Sequence, residues 1–595
     1  MDRRTQHPMN RMQRNPTAHL EDVDLLLENR YDEMPGEEVL VQNDTSRIPE
    51  VEITPDTLLE SGEDPEHWLM PGGAYDNQRR FPSESIDPDN AGDLTLEYQL
   101  ELDHPDGDGT LSSGNNYQGT PILIGGDPPI MYVTFGPDIV YALDARNGDV
   151  LWAYQYKPMV GASSSSAPAE RGVSVHGDLL LKSTLDLGVV ALDRYTGEQE
   201  WYYNGMAAYR DEPAEDGLAH EELKWSRSWG TTSSYPPLAY DGKAMKGSFG
   251  GEYGVSGFFD AVTIEDGTPE WRASMTPEDE WVGESWMHGA ATAWASGAVD
   301  VENDLVITPS ANPGPWYGTP RPGWNPYSAG KVAFNVEDGS YAWHHQDAPH
   351  DWWDYDSPTP PLVYTAEVDG EERRLVSWSG KTGWVFTVDA ESGELIQRSE
   401  GFGQHINMWK LPPRDDLESA PYITPTFLGG TNPQPTSFHP ESRTMVIRGS
   451  NAPTKFSWNE DYYEPGERYQ GMSTQSIGSE DDLEDWNGME GCIVGLNPVS
   501  GEIKWQEWLD SAPDGGSMTT AGGVSFSGLA DGTFVAYRTD SDDDEGERLW
   551  TDEIGGSVAG TPAAWEDPEE DKAYVAVKAG GDDVAGHLSV YSVDL

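Results

Sequence analysis

An all-β fold of propeller type is predicted by this sequence on three observations. One short phrase recurs along the chain, strand-like apolar runs precede its copies, and no long amphipathic helical pattern follows residue 60. The phrase reads "ALDARNGDVLW" (142–152), "ALDRYTGEQEW" (191–201), "AVTIEDGTPEW" (261–271) and "AFNVEDGSYAW" (333–343). Degenerate copies are "TVDAESGELIQ" (387–397), "GLNPVSGEIKW" (495–505) and "AYRTDSDDDEGERLW" (536–550). Each copy reads as a strand, a turn whose Gly supplies the positive φ, and a second strand carrying Trp. The runs "PILIGG", "IMYVTF" and "DLLLKSTL" give the strands ahead of those turns their β-branched or alternating content. Four-stranded units repeating every ~45–70 residues close radially into a β-propeller, which protects strand edges. The repeated Trp and Gly are expected to dock each unit onto its neighbour.

Residues 1–53 lie outside the repeat and read as an acidic, Pro-containing N-terminal extension in which "LEDVDLLLENRYDEM" could form a short helix. The propeller is assigned to 54–595. The opening "MDRRTQHPMNRMQRNPTAHL" has arginines but no apolar segment behind them, so no signal peptide is expected. No apolar run approaches the ~20 residues of a membrane helix.

Composition narrows the function. With 105 acidic against 36 basic residues, the formal net charge is −69, which repels nucleic-acid phosphates and anionic lipid headgroups. The 23 tryptophans argue for a packed core and against disorder. Acidic yet globular, the composition is similar to that of haloarchaeal proteins. The single cysteine, Cys492, rules out an intramolecular disulfide, a cysteine-rich zinc site and a CxxCH haem attachment. Roughly one residue in six is acidic, so no lone carboxylate marks a site.

Specific segments do. "DPEHWLMPGGAYDNQRRFPSESIDPDNAGDL" (64–94), "GSFGGEYGVSGF" (247–258), "TPSANPGPW" (308–316) and "PHDWWDYD" (349–356) occur in that order. With the Trp repeat, they resemble the pyrroloquinoline quinone (PQQ) dehydrogenases of the methanol dehydrogenase type, over about nine-tenths of the chain. The resemblance implies an eight-bladed propeller with tryptophan-docking motifs. It implies metal ligands at Glu252, Asn312 and Asp354, with Asp354 also the catalytic base. Two carboxylates and an amide oxygen are hard ligands, suited to Ca²⁺ and unlike a zinc set.

Further positions carry over one at a time. Trp294 in "ATAW" is the floor for the flat quinone, with Thr292 a polar contact. Arg171 pairs with a PQQ carboxylate. Ser234, Gly250, Gly251 and Gln118 fall at cofactor contacts, Lys381 on the group that hydrogen-bonds the reactive quinone oxygens, and Asn432 in the same neighbourhood. Asp356 stands where the lanthanide-dependent branch has an extra metal-ligating aspartate, so the metal is one lanthanide(III) ion or Ca²⁺. There are departures. Ser165 and Ser166 replace an adjacent-cysteine pair above the quinone, Gln118 replaces a glutamate, Ser256 an arginine, and Asp514 a tryptophan.

The implied reaction is oxidation of a small primary alcohol to an aldehyde. A separate electron carrier, a cytochrome or small copper protein, is implied because no haem motif is present. The resemblance also suggests an extracytoplasmic enzyme and a homodimer, although no signal peptide is expected from the opening residues. The alternative is a non-catalytic propeller scaffold like those of outer-membrane assembly. Those share the Trp repeat but lack the Glu/Asn/Asp set and the Trp floor.

Overall fold

Four-stranded antiparallel meanders repeat along the chain in the computed structural model. It describes residues 38–595 apart from 103, 106–116, 137, 158–169, 206–230, 465–466, 478–482 and 582–583. The meanders span 122–156, 174–203, 238–274, 298–346, 362–398, 437–509, 517–553 and 563–594, the last completed by Thr95–Glu101 from the other end of the chain. A three-stranded sheet of Tyr422–Ile423, Thr454–Trp458 and Met472–Ser476 stands beside the meander 437–509 and takes two strands from an insertion within it. Glu38–Gln42 pairs with the outer strand Val150–Tyr156, so part of the stretch assigned to the extension is an edge strand of the first sheet. The helix anticipated at 20–34 lies outside the described residues. No helix among the described residues is long and apolar enough to cross a membrane.

Inner strands such as Ile130–Phe135 and Ile139–Asp144 are buried at every residue, whereas an outer strand such as Tyr341–Gln346 is mostly accessible. Sheets covered on both faces need continuous apolar strands rather than alternating ones. Every glycine of the repeated phrase, Gly148, Gly197, Gly267, Gly339, Gly393, Gly501 and Gly546, has φ between +70° and +81°.

Those glycines do a second job. A Cβ on Gly197 would lie 2.7 Å from the Trp152 ring, whose N–H donates to the Arg194 carbonyl at 3.1 Å. The same pairing joins Trp201 to Gly267 and the Ile264 carbonyl, and Trp271 to Gly339 and the Val336 carbonyl. It recurs for Trp343 with Gly393 and Ala390, and for Trp505 with Gly546 and Thr539. Where the phrase ends in Gln397 instead of Trp, the Gln amide covers Gly501 and donates to the Ser500 carbonyl. The final meander carries no copy of the phrase, because its outer strand is Thr95–Glu101 and no turn leads into it. There Tyr98 lies on Gly148, and its hydroxyl donates to the Ala145 carbonyl at 2.9 Å.

Residues 65–81 lace the meanders together. Trp68 exchanges backbone hydrogen bonds with Leu123, and the Pro65 carbonyl accepts from Glu566 N–H. The carbonyls of Tyr75, Asp76, Gln78, Arg79 and Phe81 accept in turn from Val299, Val363, Phe438, Thr519 and Ala521. The Tyr75 hydroxyl donates to the Ala239 carbonyl. Seven of the eight meanders are reached by this one segment.

Gly197 and Gly242 both hold positive φ, but only Gly197 faces an indole; a Cβ on Gly242 meets nothing within 4 Å. Gly242→Ala is expected to cost about 1–2 kcal/mol for the backbone alone. Gly197→Ala should cost a further ~1–3 kcal/mol from overpacking, read as the larger drop in denaturant midpoint.

Candidate active site

The predicted residues stand on loops at the ends of strands. Glu252 lies on the one-turn segment Gly251–Tyr253, between Gly250 at φ +127° and Gly254 at φ +63°. Asn312 follows Leu305–Ser310, and Lys381 follows Glu371–Ser379. Asp354 and Asp356 occupy the link between Tyr341–Gln346 and Leu362–Val368. Three successive meanders therefore bring residues more than a hundred positions apart to one place.

Lys381 is the hub. Its Nζ donates to Asp354 Oδ2 at 2.8 Å and to Asp356 Oδ1 at 2.5 Å. The second oxygen of Asp356 accepts the indole N–H of Trp294 at 3.0 Å. Asp354 and Asp356 are 3% exposed and Lys381 4%. Burial pushes the Asp354 carboxyl well above the usual range; Lys381 opposes the shift, and the nearby Asp356 and Glu252 charges add to it. For Lys381, burial disfavours the charge, yet Asp354 and Asp356 outweigh it and hold the ammonium above its ordinary value. Asp354 itself takes φ +64°, a left-handed conformation uncommon outside glycine. Asn312 Oδ1 approaches to 3.2 Å of where a Cβ on Gly251 would stand, which is the close approach that glycine permits.

A second cluster adjoins the first through Trp294. The Arg171 guanidinium lies 5.6 Å from the Trp294 ring and 4.9 Å from that of Tyr235, and donates to the Ser234 hydroxyl. Burial lowers the pKa of Arg171. Phe249 packs on the Trp294 ring at 5.2 Å. Gly119, next to Gln118, packs directly on the Arg171–Gly172 backbone. Thr431, next to Asn432, donates from its backbone to the Gly380 carbonyl beside Lys381.

Five of the predicted contact residues carry buried polar atoms with no hydrogen-bond partner: Gln118 Oε1, Arg171 Nε, Thr292 Oγ1, Asp354 Oδ1 and Asn432 Oδ1. Buried polar groups are ordinarily paired, so these unpaired atoms would suit contacts to a polar ligand. Among the described residues no three carboxylates, imidazoles or thiols form a ready-made metal cluster. The predicted ligand set instead has Lys381 bridging Asp354 and Asp356, a partnership between distant segments that sequence alone does not display. Ser165 and Ser166 lie outside the described residues. Ser256 donates to the Trp286 carbonyl, and Asp514 accepts from the Ser557 hydroxyl.

Sequence reasoning missed Tyr235 and Arg321, and read Asp351 as loop packing. Asp351 is buried and its carboxylate accepts the backbone N–H of Trp353 at 2.9 Å and of Tyr355 at 2.8 Å, fixing the turn that presents Asp354. Arg321 is fully buried in the loop after Asn312. An arginine inside the Pro/Gly-rich stretch "TPRPGW" of so acidic a chain was the available signal.

Comparison with known proteins places this architecture. The chain is similar to the quinohemoprotein alcohol dehydrogenase ADH-IIG of Pseudomonas putida, at 28% identity over 568 residues, covering 88% of this chain and 73% of that one. It is similar to the putative dehydrogenase XoxF of Paracoccus denitrificans at 27% identity, covering 86% and 87%. A europium-containing methanol dehydrogenase of known structure shares the fold, with TM-score 0.77 at 23% identity over 90% of this chain and 100% of that one. The model of the PQQ glucose/ethanol/alcohol dehydrogenase β-propeller domain matches residues 68–400, more than half of the chain. The chain therefore belongs to the PQQ-type glucose/ethanol/alcohol dehydrogenase family.

Proposed function

We propose that this protein oxidises a primary alcohol to an aldehyde, using PQQ and one cation held by Glu252, Asn312, Asp354 and Asp356. The observation that carries the reading is the buried Asp354–Lys381–Asp356 group, joined through Trp294 to the Arg171 cluster. The Glu252 and Asp356 charges both bear on Asp354, with the Lys381 ammonium opposing them, a negative environment that a multivalent cation would balance. When bound, PQQ supplies the quinone that accepts hydride and the cation the Lewis acid that polarises it.

The chain's own residues do the rest. Trp294 offers a planar apolar face, and its N–H fixes Asp356. Arg171 with Ser234 binds an acid group of the cofactor, and Gln118, Thr292 and Asn432 satisfy their orphaned atoms on its polar edge. Gly250 and Gly251 admit close backbone approach. Lys381 keeps its proton and supplies the cationic donor of the site. Asp354 accepts the alcohol proton: Lys381 holds Oδ2 and leaves Oδ1 free to receive it, and burial makes this carboxylate a stronger base than one in water. Asp356 favours a lanthanide(III) over Ca²⁺, since a trivalent ion calls for one more anionic oxygen.

The same reading takes the eight meanders as eight blades over 54–595, with the indole-on-glycine contacts as docking seams. It places the two electrons on a separate cytochrome or small copper protein. By resemblance to the family it takes the protein as an extracytoplasmic homodimer, with a halophile-like acidic surface.

Purified protein supplied with PQQ and La³⁺ or Ca²⁺ is expected to oxidise primary alcohols in a dye-linked assay at high salt. Absence of both turnover and cofactor binding with either metal overturns the proposal. Asp354→Asn should lower kcat by about 10²–10⁴-fold. Asp356→Ala should abolish La³⁺-supported turnover, and unchanged turnover with La³⁺ removes the lanthanide assignment.

A further inference from the structure

Arg321 makes more contacts across the site's scaffold than any side chain proposed to touch the cofactor. Its Nε donates to the Pro315 carbonyl at 2.8 Å, one terminal nitrogen to the Trp316 carbonyl at 2.7 Å and to the Asp351 carbonyl, and the other to Asn325 Oδ1 at 2.8 Å. Asn325 returns a hydrogen bond from its amide to the Arg321 carbonyl at 3.1 Å. Pro315 and Trp316 belong to the loop that begins at Asn312, and Asp351 begins the turn that carries Asp354 and Asp356. One fully buried guanidinium thus joins two loops that leave the same end of one meander, the first between its second and third strands and the second after its last strand. Asp351 extends the chain of contacts, because its carboxylate accepts the N–H groups on either side of Asp354, from Trp353 and Tyr355. The carboxylate sits close enough to Arg321 for their charges to interact.

We propose that Arg321 and Asp351 are positioning residues that set the separation of the Asn312 loop from the Asp354 turn, and so the size and affinity of the cation site. Neither touches the reacting atoms. Arginine is required for its shape: a planar fork with five donors can span three carbonyls and an amide oxygen at fixed angles, and an ammonium on a flexible stem cannot. A carboxylate is required at 351 because two backbone N–H donors converge on it, and an amide side chain would turn an NH₂ towards one of them. The left-handed φ of Asp354 is held by this pair of hydrogen bonds against its intrinsic cost.

The inference rests on the cation site proposed above, and the test separates the two. Metal-depleted protein with PQQ is titrated with Tb³⁺, reading indole-sensitised luminescence, for the unaltered chain, Arg321→Lys, Asp351→Asn and Arg194→Lys. Arg194 is a comparably buried arginine that ties Gly177 and Val51 in a different part of the ring. Arg321→Lys and Asp351→Asn are expected to weaken Tb³⁺ binding by about 10–100-fold, with turnover recovered at saturating metal. Arg194→Lys should lower thermal stability and leave the Tb³⁺ affinity unchanged. Asp351→Asn preserves volume and one hydrogen bond, so it carries the test if Arg321→Lys does not fold. Affinities within about two-fold of the unaltered chain in the folded variants overturn the positioning role. Failure of the unaltered chain to bind Tb³⁺ at all overturns the cation site instead.

Discussion

Ring closure is the constraint on which this molecule depends. A meander has two apolar faces and cannot bury both alone, so each must find a neighbour on either side. The last neighbour exists because Thr95–Glu101 joins Val584–Asp594, and because Tyr98 takes on Gly148 the place that Trp takes on the other glycines. Residues 65–81 add a second constraint by running across seven meanders in order. Radial position is thereby fixed twice, once at the outer turns and once along this lacing segment.

A site built on loops inherits its precision from that ring. Glu252, Asn312, Asp354 and Lys381 come from three meanders, and small rotations of one against the next would separate them. Close packing resists such rotations, since each seam combines an indole pressed on a glycine with a directed hydrogen bond. Within the site, the loops are joined again by Arg321 and by Lys381, each using a buried cation to hold several oxygen acceptors. The scaffold is held at two scales, and the geometry of the proposed ligand set depends on both.

How much of this was legible in the sequence follows from how local each feature is. The phrase that ends in Trp was readable because Gly at positive φ and its aromatic partner recur at short, fixed spacing. The meander 437–509 was harder to see, because an insertion separates its second strand, Thr444–Ser450, from its third, Gly491–Leu496. The last meander has no copy of the phrase at all, for the topological reason that its outer strand arrives from the N-terminus. Residues 65–81 bear no periodic pattern, since their carbonyls are spread over several meanders and only those of Arg79 and Phe81 serve the same one. At the site, Asp354 could not be told from a hundred other acids by its own chemistry, and only the resemblance of its neighbours singled it out. Lys381 as a bridge between two carboxylates, and Arg321 as a tie between two loops, are relations between distant segments, and a single chain read in order does not display them.

The placement of positive charge fits the same scheme. Ten of the 36 lysines and arginines are buried among the described residues, although these side chains are seldom buried without partners. Several hold oxygen acceptors from separate segments: Lys182 bridges Asp138 and Glu170, Lys331 holds Ser357 directly after Asp356, and Arg448 reaches Pro513 and Asn432. Nearer the surface, cations such as Arg538 and Lys572 pair with single acids, Glu547 and Glu97, and salt screens much of what such pairs gain. Inside, screening is weak and the geometry is fixed, so one cation can organise several loops at once. The buried minority of the positive charges thus pins separate segments together, and at the site Arg321, Lys331 and Lys381 do so around Asp354 and Asp356.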